Sequence, residues 1–384
     1  MQVSRLATLV IGFTLAISPR FVWAGQFTQG PSYPVDSGPR SAILADFNRD
    51  GKLDMAVATL NSTVDVLLGN GDGTFQPAVS YPLAGMRPWQ VIAGDFANNG
   101  ILDLVAATGY GQTVSILMGN GDGTFQPAKS IKTGWHPMAV EVADLNRDGN
   151  LDLLVANHTY GTLEVFLGNG DGTFQTPKNY ALGPVTNYPF LLLPRWIAVT
   201  DFNNDGIPDV AVVNAGDKGQ GNSVSVLLGK GDGSFWPAVY WNTGVQPIGI
   251  AVGDFNRDGN MDMVTVDNTS NTASVFLGNG DGTFQPRVPY AVGNKPQNAV
   301  VADFNGDGYL DIVVSNQDSV NVTLLLGRGD GTFQSGGNYP AGAFPENLAT
   351  GDVNGDGTPD LAVPDYNSNS VQVLFNSGAP RISH

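Results

Sequence analysis

The chain has 384 residues, a formal net charge of -17 and no cysteine. That charge argues against a nucleic-acid backbone or an anionic membrane as partner, because like charge repels either one. The missing cysteine excludes a disulfide framework and a lipid-modified N-terminal cysteine, so an exported form must draw its stability from another source.

The first 24 residues read as an export signal. Arg5 supplies the positive n-region, and Leu6 to Ser18 is mostly apolar but too short to span a bilayer comfortably. Val22-Trp23-Ala24 offers a cleavage site, which would leave residues 25–384 as one mature domain. Such a chain is expected to be secreted, or held in a periplasm or at a cell surface. No other segment approaches a transmembrane run, so no membrane insertion is expected.

The first repeat begins with a strand over Ser41 to Ala45, which leads into Asp46-Phe-Asn-Arg-Asp-Gly-Lys-Leu-Asp54. Further strands are predicted over Leu53 to Thr59 and Thr63 to Gly69. A Gly-Asp-Gly turn at Asp72 and a fourth strand over Thr74 to Tyr81 complete the unit. Val, Ile, Leu and Thr dominate these runs, and no apolar period of 3.6 residues is sustained, so helices should be rare. The acidic segment returns at Asp95, Asp144, Asp201, Asp254, Asp303 and Asp352, with steps of 49, 49, 57, 53, 49 and 49 residues. Gly-Asp-Gly follows six of the seven copies. The segment that the seventh lacks stands at the other end, where Gln26-Phe-Thr-Gln-Gly-Pro-Ser-Tyr-Pro34 matches Thr74-Phe-Gln-Pro-Ala-Val-Ser-Tyr-Pro82. Four antiparallel strands at a period near fifty predict an all-β, seven-bladed β-propeller, closed by an N-terminal strand that completes the last blade.

The acidic loops suit a hard cation. Positions one, three, five and nine of the first are Asp46, Asn48, Asp50 and Asp54, with glycine at position six. Alternating oxygen ligands around a sharp turn suit Ca2+, whereas Mg2+ prefers fewer protein ligands and keeps its waters. The set recurs as Asp144, Asn146, Asp148 and Asp152, as Asp201, Asn203, Asp205 and Asp209, and as Asp254, Asn256, Asp258 and Asp262. It recurs again as Asp303, Asn305, Asp307 and Asp311, and as Asp352, Asn354, Asp356 and Asp360. Backbone carbonyls at position seven, of Lys52, Asn150, Ile207, Asn260, Tyr309 and Thr358, would complete six sites. Asp95 to Asp103 is the exception, because Ala97 and Asn99 replace two ligands, and it should bind weakly or not at all. An EF-hand would need Glu at position twelve, where the first loop has Val57. The single carboxylate of each Gly-Asp-Gly motif reads as hairpin geometry.

Two insertions break the period, in Leu182 to Arg195 and Asn214 to Ser223. Both fall on the face away from the acidic loops, where the chain crosses from blade to blade. Trp89, Trp135 and Trp196 lie in or beside crossings on that face, near Arg87, His136 and Arg195. Aromatic planes beside polar donors suit a sugar ring or a peptide, so these six residues are the expected ligand site. The alternative is that the tryptophans pack between blades. For catalysis the chain offers no GxSxG, HExxH or phosphate loop, and its three histidines are spread along it. Glu141 and Glu346 near the central channel are the available acid/base pair. Asn61, Asn157, Asn268 and Asn321 head N-x-Ser/Thr sequons.

The run DFNxDGxxD followed by LGNGDGTFQ resembles the FG-GAP/VCBS repeats of integrin-α-type propellers, from about Gly25 to Asn376. The resemblance implies Ca2+ in loops joining the first and second strands of blades, and an extracellular role in adhesion, ligand binding or sugar binding. The expected function is therefore a non-catalytic, calcium-binding module for carbohydrate or an extracellular protein. A propeller-type polysaccharide lyase or glycoside hydrolase is the alternative.

Overall fold

The computed structural model describes residues 27–183, 192–216 and 222–377. The expected export signal lies outside them, as do parts of both insertions. The described strands form seven four-stranded antiparallel sheets. Blade one comprises Pro39–Ala45, Asp54–Thr59, Thr63–Leu67 and Val79–Pro82, hydrogen-bonded in that order. Blades two to six repeat this order. In blade seven Phe27–Pro34 pairs with Ser370–Asn376 as the outer strand, beside Asp360–Asp365 and Ala349–Gly351. The propeller and its closure by the N-terminal strand are as the sequence predicts.

The first strand of each blade is innermost and touches the first strands of both neighbouring blades, so seven inner strands ring the axis. The second strands, such as Asp54–Thr59 and Asp209–Asn214, are buried throughout, which explains their unbroken Val, Ala and Leu runs. The core is seven layers, one between each pair of blades. Between blades one and two, for instance, Phe47, Ala56 and Val66 pack on Val91, Leu104 and Leu117.

One element differs from expectation. The outer strand predicted over Thr74 to Tyr81 is Val79–Pro82, preceded by a single bridge between Gly69 and Phe75. Pro77 lies between them, and proline has no N–H for the ladder. Pro127, Pro237 and Pro286 occupy the same place, and Pro177 comes one residue later. Blades six and seven have Ser335 and Gln29 there, and their outer strands run the full Phe333–Pro340 and Phe27–Pro34.

Candidate metal loops and crossing-face sites

All seven acidic loops share one backbone. Position four is left-handed in each, from Arg49 (φ 62°) to Gly355, and position six is a left-handed glycine. The position-one carboxylate organises the turn. Asp46 accepts the N–H of Asp50 at 3.1 Å on one oxygen and that of Gly51 at 2.9 Å on the other. Asn48 Oδ1 accepts the Asp50 N–H, and Asp50 Oδ1 accepts that of Lys52. The position-seven N–H groups of Asn150, Ile207, Asn260, Tyr309 and Thr358 donate in the same way. The second loop keeps this geometry with Ala97 and Asn99 in place, since Asp95 still accepts from Asn99 and Gly100. Asx-turn chemistry and glycine therefore suffice for the loop's shape. The carboxylate at position five in the other six loops is surplus to that need.

Position nine has a structural task. Asp54 is fully buried, and its two oxygens accept the N–H of Phe47 at 2.9 Å and of Gly69 at 2.8 Å. It thereby ties the acidic loop to the third-strand end. The other six position-nine aspartates do the same. Each oxygen retains a second acceptor direction. Burial, then the position-five and position-one carboxylates, push Asp311 up to about 7 and Asp209, Asp262 and Asp360 up to about 6, against the opposing backbone donors. Among the described residues no three Asp, Glu or His side chains converge as a metal cluster. The donor set nevertheless fits a hard cation, with one exposed carboxylate, one half-buried carboxylate and an amide oxygen on one tight turn.

The Gly-Asp-Gly turn does more than close a hairpin. Asp72 Oδ1 accepts from the Thr74 N–H at 3.0 Å and from its hydroxyl, as hairpin geometry requires. The second glycine then donates to the previous blade. Gly123 N–H bonds the Phe47 carbonyl, and Gly172, Gly233, Gly282 and Gly331 repeat the contact. Gly73 reaches Val353 across the closure. Blade seven has no such glycine, and the buried Asn376 Nδ2 takes over, donating to the Phe304 carbonyl at 2.8 Å.

On the opposite face a proline stands seven residues before every acidic loop, from Pro39 to Pro345. The residue after it is left out of the ladder, as the register shift between Pro39 and Ser41 shows. These bulged residues are Arg40, Trp89, Met138, Arg195, Ile248, Gln297 and Glu346. All but Arg40 line a cavity of about 40 Å³ at the crossing-face mouth of the axis, with Trp196 and Asn347. Arg40 pairs with Glu346 at 3.0 Å and lies over the rings of Trp89 and Tyr366 at 4.1 and 4.6 Å. Further out, Arg87 lies 4.7 Å over Tyr110, whose ring meets His136 edge-on at 5.4 Å. The Trp135 ring meets that of His136 edge-on at 6.1 Å, and Thr159 Oγ1 lies 2.8 Å from His136 Nδ1. Trp135 and Tyr110 are 45% and 52% exposed. The six expected ligand residues thus separate into an outer group, Arg87, Trp135 and His136, and an axial group, Trp89, Arg195 and Trp196. Tyr110 escaped the sequence reading, as did the convergence of the post-proline residues, of which only Trp89, Arg195 and Glu346 were singled out; the constant proline offset was the available signal.

The FG-GAP-like repeat model matches residues 46–106, 95–155, 146–212, 201–265, 262–314 and 303–363. The chain belongs to the FG-GAP-like repeat family. No curated protein matches the sequence. Among solved structures, BBS1N in complex with ARL6DN superposes on this FG-GAP propeller with a TM-score of 0.63 at 12% identity, covering 93% of this chain and 98% of that one. A lectin of Agrocybe aegerita that recognises non-reducing terminal N-acetylglucosamine gives 0.53 at 20% identity, over 81% and 89%. Virginiamycin B lyase from Staphylococcus aureus gives 0.60 at 12% identity, over 91% and 99%. At these identities the likeness is one of fold.

In the FG-GAP propeller Glu141 and Glu346 line different cavities. Glu346 is at the crossing-face mouth, while Glu141 lines an axial space of about 330 Å³, and Trp196 borders both. Burial pushes each carboxyl up to about 7, against the Val142 N–H for Glu141 and against Arg40 and Gln317 for Glu346. A raised carboxyl pKa means that the folded state resists ionisation, so this contribution to stability is full below pH 4.5 and lost as pH rises through about 7. Glu141→Gln is therefore expected to be more stable than wild type at pH 8 by about 1–3 kcal/mol and near wild type at pH 5. Urea melts at both pH values measure this, and a difference independent of pH would refute it. Two sequon asparagines, Asn157 and Asn268, are buried and closed to glycan attachment in the folded state, whereas Asn61 is exposed.

Proposed function

We propose that the protein is an exported FG-GAP propeller, braced by Ca2+ in six of its acidic loops, that binds an extracellular glycan or protein on its crossing face. The observation that carries the binding reading is the exposed group of Arg87, Tyr110, Trp135 and His136 over blades two and three. Large aromatic faces left in water beside hydrogen-bonding side chains are the usual makings of a sugar or peptide contact. Propellers of this shape serve as binding modules elsewhere: the A. aegerita lectin recognises N-acetylglucosamine, and BBS1N was solved on ARL6DN. A saccharide is the preferred ligand, because Tyr110 and Trp135 leave large ring surfaces exposed beside polar donors. Calcium is supported by the surplus carboxylates of the six loops, which the second loop folds without. Export is supported by the charge and length pattern of residues 1–24.

The test is a glycan and matrix-protein binding screen on the purified protein, with and without calcium. A Tyr110→Ala/Trp135→Ala variant should lose at least about tenfold in affinity for whatever the wild type retains. Undiminished binding by that variant, at unchanged melting temperature, would place the ligand elsewhere.

A further inference from the structure

We infer that the crossing-face mouth of the axis is a separate binding subsite for a small monocarboxylate, centred on Arg195. Its first support is an unpaired charge. Arg40 is neutralised by Glu346, but among the described residues Arg195 has neither a carboxylate nor a hydrogen-bond partner. Its guanidinium carbon lies 5.8 Å over the Trp89 ring. An uncompensated cation is unexpected at the centre of a chain whose net charge is -17.

The second support is the chemistry of the unsatisfied atoms. Arg40 Nε, Trp89 Nε1 and Arg195 Nε are all buried without an acceptor. Each is a donor, and none of the ring residues has an orphaned acceptor. A buried donor left unsatisfied costs about 1–3 kcal/mol, and two of these three, on Trp89 and Arg195, belong to residues that line the cavity and call for an acceptor there. The ligand that complements the Trp89 indole N–H and the free Arg195 guanidinium is an oxyanion.

Size and charge narrow the class. The cavity of about 40 Å³ admits a carboxylate group, and its Met138, Ile248 and Trp196 walls suit the carbon that bears it. With Glu346 paired to Arg40, the one free guanidinium on the cavity balances a single negative charge, so a monoanion fits better than a dianion such as sulfate. His158, whose Nδ1 is 3.2 Å from the Pro194 carbonyl, is held down to about 4 by burial, then by Arg195, and adds no positive charge at neutral pH. The remainder of the ligand would extend outward over the crossing face. A free organic acid and the uronate of an acidic saccharide share this chemistry. The subsite does not depend on the outer aromatic group.

Titration of the purified protein with acetate, glucuronate, glucose and sulfate, followed by calorimetry and tryptophan fluorescence, tests the assignment. Acetate and glucuronate should bind saturably, and glucose and sulfate should not. Glucuronate tighter than acetate identifies a saccharide source, and equal affinities a free acid. Arg195→Gln should weaken both by more than about tenfold. Ile248→Glu places a carboxylate in the cavity with Arg195 intact and should abolish binding, which covers the case of a misfolded Arg195→Gln. Trp135→Ala should leave the affinities unchanged while reducing any glycan binding at the outer group. The inference is overturned if neither carboxylate saturates, if sulfate or glucose binds as well, or if the folded Arg195→Gln or Ile248→Glu protein binds like wild type.

Discussion

Excess chelator is expected to lower the melting temperature of this propeller by more than about 10 °C, and millimolar Ca2+ to restore it. An ion bound only by the folded state at a hundred times its Kd adds about 2.7 kcal/mol per site, and six loops carry the full set of oxygens. The chain without ions must hold 20 loop aspartates together on one face, most of its 32. Backbone N–H groups satisfy part of each carboxylate but do not cancel its charge. The second loop is a built-in control. Asp103 there has only Asp95 as a charged loop neighbour, where Asp54 has both Asp50 and Asp46. Native mass spectrometry should count about six ions in wild type. Asp307→Asn should remove one, and Ala97→Asn combined with Asn99→Asp should add one. A melting temperature indifferent to chelator and calcium alike would remove metal from the account.

The second large effect concerns two glycines with nearly the same backbone. Gly51 has φ +81° and open space where a Cβ would stand, so Gly51→Ala is expected to cost only the left-handed strain, about 1 kcal/mol. Gly73 has φ +84°, but its Cβ would land on the Phe375 ring and 3.3 Å from Asn354 Cβ. Its N–H also bonds the Val353 carbonyl at 2.9 Å across the closure between blades seven and one. Gly73→Ala should therefore cost about 3 kcal/mol or more, since either the Phe375 ring moves or the blades part. Denaturant melts of the two variants decide the matter. Equal losses would show that the Gly-Asp-Gly turn is a hairpin device with no part in holding blades together.

These contacts also separate what was legible in the sequence from what was not. Each repeat carries its own backbone instructions: glycine at the left-handed positions, aspartate where a turn needs an acceptor, Val and Leu where a strand is covered on both faces. Those instructions act over a few residues, so they can be read in place. Seven copies then determine the number of blades, and the displaced Phe27–Pro34 segment determines how the ring closes. The acidic loop was legible as a shape.

What joins one blade to the next was not legible, because it links residues far apart in the chain and varies from copy to copy. Position nine reads in sequence as a ligand, and only the folded chain shows that Asp54 also spans Phe47 and Gly69. Asn376 stands in for a glycine N–H that the seventh repeat lacks, a role visible only against the Phe304 carbonyl. The crossing-face tryptophans looked equivalent in sequence. Tertiary structure turned Trp135 into water and put Trp89 beside Arg40 at the axis. Closure of the ring decides this, since it alone brings the residue after each proline, roughly one repeat from the next, to a common centre.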